Sequence, residues 1–555
     1  MAGSEVWADL PTTTRILKNK WGFQMAFFSR TIPVFLAVLA LAVTACGGAA
    51  TAVPASTTAP LAAATLIPAD SGKDSSMNIA VVFLDQPPDP LQAGWLALPT
   101  GLSETLFRLG TDFSPEPWLA TGAQQVDEKT WEITIRPGVK FHNGAGMDAA
   151  AVKASLERAI TQNKGVETLL DIASIEVMDP LKVRIVTNGA SPVLPGLLTA
   201  NKTAIVDAAA AQAMGDAFPT KPVLTGPYKV ETFELDKEMV VTRHDQYWGS
   251  LPKLGRIKYL GLADANSRLL ALQSGDVDIA VYLSPEGTST VQNDPNLAVK
   301  SAAPNALTFM FVNHERGAMN DERVRQAVVL AVDRQALVGA ITQGKGAEAI
   351  GPFPPGFLTC DQLRAHRFEP EKARALLSEA GYRDTDGDGI VEKDGQPLVL
   401  DLLTYRQRPE LPLIAEAAQS MLKDIGIRAK VQLVEQPVPA ANQGNWDLFT
   451  WYNGTTSTGD PFWALDRMYT TGGSGNRGHF SSSRVDDLAA QVGHAIDPAE
   501  RERLACKATQ AIIDEVAIVP ILFPNFNYGV SNDVVGFDDP HPVPMYFIDS
   551  NVGKR

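Results

Sequence analysis

From residue 129 to 135 the chain alternates apolar and polar positions, with Trp131, Ile133 and Ile135 on one face, the period of a strand with one buried side. Asp148 then stands at the N-cap of AAAVKASLERAI, where Val152, Leu156 and Ile160 recur at helical spacing. Further on the pattern predicts a strand over 256–262, a helix over 263–274 stopped by Gly275, and a strand over 277–282. So compact a strand–helix–strand order makes a βαβ unit with parallel strands. The second half repeats the plan: a strand over 398–404, a helix over 412–425 ended by Gly426, an alternating strand over 428–434 and a further strand over 446–451. Two such units imply an α/β protein of two lobes, with a ligand site where strand C-termini face a crevice. The segments leaving those ends, 282–285, 405–408 and the Gly/Thr-rich 452–460, are the candidate binding loops.

The amino terminus follows a different pattern. Residues 31–45 form an apolar run of 15 behind Arg30, short of the roughly 18 that a membrane helix needs. A basic flank, a short apolar core and small residues before a break are the pattern of an export signal over 1–45, and Met25 gives an alternative start of ordinary proportions. The break, Val43-Thr44-Ala45-Cys46, resembles the lipobox of bacterial lipoproteins, which implies cleavage before Cys46 and a lipid on its sulfur. Residues 46–76 are rich in Ala, Thr, Pro and Ser without periodicity, which predicts a flexible tether leading to a body that begins near Met77.

Composition narrows the function. Lys and Arg total 48 against 63 Asp and Glu, a net charge of -15, which argues against a sequence-independent nucleic-acid binder. Three cysteines exclude a disulfide scaffold, and seven histidines without HExxH spacing leave no evident metal cage. Gly339-x4-Gly344-Lys345 imitates a phosphate-binding loop, but Gly346 replaces the hydroxyl residue and the segment trails a helix. Asp384-x-Asp386-x-Asp388-Gly389 begins like a calcium loop, yet its twelfth position is Gly395, so a tight Asp/Gly turn fits better. Nothing here requires an enzyme; a hydrolase on a two-lobed scaffold rests only on the abundance of carboxylates. Cys360 and Cys506 are an even pair once Cys46 is lipidated, which favours a disulfide in an exported protein. Two separate buried thiols are the alternative, since Cys506 lies on the apolar face of ERLACKATQAIIDE.

The stretch PWLATGAQQVDEKTWEITIRPGVKFHNGAGMDAAAVKASLERAI resembles the hallmark of the solute receptors of ABC importers, family 5, the peptide- and nickel-type branch. TGPYKVETFELDKEMVVTRHDQYWG, ADANSRLLALQSGDVDIA, DERVRQAVVLAVDRQALV and EPEKARALLSEAGYRDTDGDGI follow in the same order. The resemblance implies a two-lobed periplasmic-binding-protein clamp of the class II type, α/β throughout, with an extra domain inserted in lobe one. Lobe one would comprise 77–305 and 526–555, with the insertion at about 101–220, and lobe two 306–525. It further implies an exported monomer without resident cofactor or catalysis, tethered by lipid at the outer face of the cell membrane or in the periplasm. Such a receptor hands a small solute to a permease.

In dipeptide and oligopeptide receptors of this family, a Trp at the end of a lobe-two strand is followed three residues later by an Asp that pairs with the peptide's amino group. Trp451 matches the Trp, and the third residue on is Gly454. A buried amine without a partner is costly, so the expectation is a nickel chelate, metallophore or other carboxylate-rich ligand, with a peptide as the alternative. The likeness to nickel receptors implies arginines on ligand carboxylates and aromatic walls. The candidates are Trp451, Tyr452, Tyr405, Arg406, Asn476 and Arg477, with Lys202 near the end of lobe one and His479 as a metal ligand. Arg408 reads better as a solvated surface charge.

Overall fold

The computed structural model describes residues 75–555 apart from 303, 304, 345, 362, 544 and 545. The export signal, Cys46, the tether to residue 74 and Lys345 therefore lie outside the described residues. Two main sheets organise the body. One has seven strands in the order Leu297–Ala302, Phe526–Ser531, Ile279–Ala280, Ser76–Val81, Arg256–Gly261, Glu238–Arg243 and Tyr228–Glu234. The other has six: Ala347–Glu348, Ile518–Phe523, Ala306–Val312, Leu448–Gly454, Val399–Thr404 and Arg428–Leu433. The chain passes from the first sheet to the second between Ala302 and Asn305, and returns through Pro524 and Asn525. Two short crossings, each at a strand end, make a hinge.

Local chemistry accounts for the elements. Asp148 caps the helix Ala149–Gln162 by accepting from the Ala151 amide, and Asp264 caps Ala265–Ser274 by accepting from Ser267. Gly275 closes the latter helix at φ 79°, which a side chain would strain. Ser76–Val81 lies between Arg256–Gly261 and Ile279–Ala280 and is parallel to both, so the helix Ala265–Ser274 is the crossover of a βαβ unit. In the second sheet Val399–Thr404 runs parallel to Arg428–Leu433 around the helix Glu410–Asp424. The strand Leu448–Gly454 runs on past Trp451, because Tyr452, Asn453 and Gly454 still pair with Thr308, Leu307 and Ala306. The irregular loop thus begins at Thr455.

A third, four-stranded sheet (Ala120–Gln125, Thr130–Ile135, Lys182–Thr187, Ile172–Asp179) is inserted between the first two strands of lobe one in chain order. Its core holds Ile133, Ile135, Val152, Leu156, Val183 and Ile185. In lobe two, Cys360 and Cys506 are disulfide-bonded across 146 residues. In the chain-entropy model a loop of that length is worth about 5 kcal/mol. Gly339 lies inside the helix Arg334–Thr342, not between a strand and a helix. The carboxylates of Asp384, Asp386, Asp388 and Glu392 lie within 4.8 Å of one another, and backbone amides of Gly387, Asp388, Gly389 and Ile390 cap the three aspartates in tight turns.

Glu104 joins the inserted unit to lobe one and is fully buried. Its carboxyl accepts from the Tyr247 hydroxyl at 2.8 Å and the Trp248 indole at 3.1 Å. Burial raises it from 4.5 to about 7, against the hydrogen bonds of Trp248 and Tyr247 and the charge of Arg136. A carboxyl raised in the folded state stabilises below its unfolded value and loses that contribution as the pH climbs. The contribution of Glu104 should therefore be full below pH 4.5 and be lost as the pH rises through about 7. Glu104→Gln should flatten this slope, removing a difference of up to about 3 kcal/mol. Urea midpoints measured across that range check it, and equal slopes in the two proteins would contradict it.

Candidate functional site

On the lobe-one side, Arg268 of the helix Ala265–Ser274 is fully buried and donates only to carbonyls: Val281 at 2.8 Å, Leu262 at 2.7 Å, Ala263 at 2.9 Å and Tyr282 at 2.9 Å. Burial, then the charge of Arg408, draw it down to about 10. These bonds gather the two strand ends. They also occupy the Val281 and Tyr282 carbonyls, so the strand expected over 277–282 ends its regular ladder at Ala280, with Tyr282 turned to φ 51°. That turn sets the Tyr282 ring in the crevice.

Lobe two answers with Arg408. Its guanidinium lies 3.8 Å from the centre of Tyr452 and 4.3 Å from that of Tyr282, a cation between two rings from opposite lobes. Among the described residues no carboxylate pairs with it. The expectation of a solvated surface charge is thus corrected: the loop after Thr404 folds back into the crevice and carries Arg408 with it. These three residues and Glu410 line a small cavity of about 50 Å³ that is open to solvent. Burial raises the Glu410 carboxyl, against the charges of Arg408 and Arg268.

The opposite face of Leu448–Gly454 presents Trp451, boxed by Phe449 at 5.2 Å, Tyr405 at 5.5 Å and Phe311 at 5.6 Å. Arg477 lies over the Trp451 ring at 5.2 Å and donates to the Asn442 amide oxygen at 2.6 Å. Arg467 lies over Trp463 at 5.0 Å. Lys202, from lobe one, is pulled down by burial and then by Arg467; Arg477 is pulled down by burial and then by Arg467. Arg467 therefore lies within electrostatic reach of Lys202 from lobe one and of Arg477 from lobe two, and among the described residues none of the three is ion-paired. Such a cluster is poised for an anion.

The structure thus brings together Trp451, Tyr405, Arg477 and Lys202, and sets Tyr452 on the other face with Arg408. Arg406 is exposed. Asn476 holds its own loop, donating to the carbonyls of Thr470 and Phe480 and accepting from the Phe480 amide. His479 stands beside Glu315 at 3.9 Å, next to Gly478, whose carbonyl accepts from the His314 amide just beyond the end of Ala306–Val312 remote from the crossing. It is not among the crevice groups. Asp460 is buried and bidentate to Arg501 at 2.7 and 2.9 Å. Sequence reasoning missed Arg467, Trp463 and Arg268. The first two were detectable as an aromatic–cation pair at i, i+4 on one helix.

The lobes touch on both sides of the crevice. Gln343 donates to the Pro285 carbonyl at 3.0 Å and the Ser289 hydroxyl at 2.7 Å, while Thr199 donates to the Ser457 carbonyl at 3.3 Å. Gly196 of the helix Leu194–Leu197 meets the Thr458 carbonyl so closely that a Cβ would lie 2.5 Å from its oxygen. This is a closed arrangement.

Residues 114–476 match the family described as bacterial extracellular solute-binding proteins, family 5. The nickel-binding protein NikA of Staphylococcus aureus is 28% identical over 436 residues, covering 78% of this chain and 85% of that protein. The glutathione-binding protein GsiB of Salmonella paratyphi A is 30% identical over 448 residues, with the same coverages. The crystal structure of Staphylococcus aureus NikA in complex with Ni(L-His)2 superposes with a TM-score of 0.79 at 26% identity, covering 87% of this chain and all of that one. Among the described residues no helix is long and apolar enough to cross a membrane.

Gly196 has no positive φ to protect, so Gly196→Ala should leave the thermal midpoint almost unchanged while the added methyl keeps the lobes apart. Small-angle X-ray scattering should then show a larger radius of gyration for the variant under every condition in which the native chain closes. Superimposable profiles would contradict it.

Proposed function

The chain belongs to the bacterial extracellular solute-binding proteins of family 5, and from that premise we propose that it is the receptor of an ABC importer for a small carboxylate-rich solute, a nickel chelate or metallophore foremost. The observation that carries this reading is the cluster of Lys202, Arg467 and Arg477, unpaired among the described residues and walled by Trp451, Tyr405 and Trp463. Guanidinium groups offer two parallel donors to a carboxylate, and aromatic faces pack against the rest of a compact chelate. Arg408, between Tyr282 and Tyr452, supplies a further cation. A nickel ion here is cargo brought inside a chelate, with no resident cofactor and no turnover.

The second reading is a peptide receptor. It is disfavoured because a peptide's amino group needs a carboxylate, and Asp460, the nearest downstream of Trp451, is bound to Arg501. Glu410 keeps the reading open, as a half-buried carboxyl, raised by burial, that an ammonium group would ionise. The remaining parts of the proposal are a lipid on Cys46, a tether over 46–76 and work at the outer face of the membrane beside a permease, as a monomer.

Differential scanning fluorimetry separates the readings. Nickel with L-histidine, nickel with a carboxylate-rich chelator, glutathione and di- to pentapeptides are each added to the purified body from residue 75. A solute at about a hundred times its dissociation constant adds about 2.7 kcal/mol, a visible rise in the midpoint. Solutes that present two or more carboxylates, the two nickel chelates and glutathione, should raise it, and peptides whose only carboxylate is the terminal one should not. Stabilisation by ordinary peptides alone would overturn the preference, and product release from any of them would overturn the receptor reading.

A further inference from the structure

The disulfide sits in an unusual strap. Between Ala347–Glu348 and the helix Pro370–Glu379 the chain is irregular, and it is fastened along one face of the helix Pro498–Asp514. The Thr359 amide donates to Glu502 at 2.6 Å, Cys360 is bonded to Cys506, the Arg364 amide donates to Gln510 at 2.8 Å, and the His366 ring meets the Ile513 carbonyl at 2.9 Å. Positions 502, 506, 510 and 513 lie on successive turns of one helix face. The anchor is far stronger than a loop needs merely to stay covered.

What the anchor presents is Phe357. Its ring stacks on Phe353 at 5.4 Å and meets Phe113 of lobe one edge-on at 6.1 Å. Phe353 and Phe357 belong to the apolar cluster that includes Trp451, Tyr405 and Trp463, and the contact with Phe113 puts the strap at the junction of the lobes. Phe113 is itself held at φ 65°, a conformation that costs a bulky side chain energy and that turns of this kind fill with Gly or Asn. On its other side, Gly459 of lobe two packs against the Phe113 carbonyl, where a Cβ would lie 2.2 Å from the oxygen. One strained aromatic of lobe one is thus gripped by lobe two at two independent points.

We propose that Phe357 is a positioning residue for lobe closure, seated by the Cys360–Cys506 bond so that it receives Phe113 when the crevice shuts. The inference rests on the reading of the crevice as the solute site. The strap is covalently fixed within lobe two, so closure need not order it at that moment. Loss of the bond leaves the loop attached only by its hydrogen bonds, and Phe113 then meets a mobile partner.

The test compares the native chain, the Cys360→Ser/Cys506→Ser double variant, Phe357→Ala, Phe357→Tyr and Phe113→Asn, which tolerates the positive φ. Hydrogen–deuterium exchange is followed at 110–114, in lobe one, without any solute. Affinity is measured by calorimetric titration with nickel and two equivalents of L-histidine. Exchange at 110–114 should quicken in the double variant, in Phe357→Ala and in Phe113→Asn, and be restored in Phe357→Tyr. Affinity should fall about threefold to tenfold in the same three, and combining Phe357→Ala with the double cysteine variant should add little. Faster exchange confined to lobe two, or additive losses, would overturn the proposal. If the native chain takes up no nickel–histidine, that choice of solute fails, and exchange at 110–114 alone decides the role of Phe357.

Discussion

Positive charge withdrawn from water without a counter-charge is expensive, and the crevice is built around that cost. Burial, and then the charge of Arg467, draw down Lys202 and Arg477 on opposite walls, burial alone draws down Arg467, and Arg408 lies between two rings with the Glu410 carboxyl close enough to favour its charge. Aromatic faces soften the penalty, because the ring quadrupole attracts the cation, but they do not cancel it. A ligand that brings two or more carboxylates removes the residual cost, and the closed form is then stabilised by the same interaction that gives affinity. A ligand without carboxylates does not relieve it.

The rest of the architecture keeps those charges where water can be excluded. Arg268 ties two strand ends of lobe one through four carbonyls and thereby aims Tyr282. Asp460 and Arg501 neutralise each other within lobe two and fix the start of the helix Pro461–Tyr469, which carries Trp463 and Arg467. Closure depends on backbone approaching backbone: Gly196 against Thr458 and Gly459 against Phe113 admit no methyl group. The electrostatic and steric parts are separable, because neither glycine touches a charge of the cluster.

Periodicity was sufficient for the two α/β units. The caps Asp148 and Asp264 and the stop at Gly275 are local chemistry, and local chemistry is legible in one sequence. Errors arose where a distant group intervened. Arg268 cannot be seen to claim the carbonyls that would have lengthened the strand at Ile279–Ala280, and Tyr452 to Gly454 join their strand because a partner from residue 306 onwards arrives there. The same limit governs the site. Trp451, Tyr405 and Arg477 follow from strand ends and from resemblance. Arg408 depends on where a loop folds back, and Asn476 and His479 have the right chemistry for a ligand but are positioned for the loop itself and for Glu315.

The central claim is that the crevice cations serve ligand and not fold. It is tested most directly by replacing Lys202, Arg467 and Arg477 singly with Met and measuring two quantities for each variant. One is the affinity for the solute that most stabilises the native chain, by calorimetric titration; the other is the stability without solute, by urea unfolding. The account predicts that affinity falls at least about tenfold while the stability stays level or rises, since each substitution removes a half-buried charge that has no ion-pair partner among the described residues. Stability that falls with affinity unchanged would show that these cations hold the fold together, and would contradict the account.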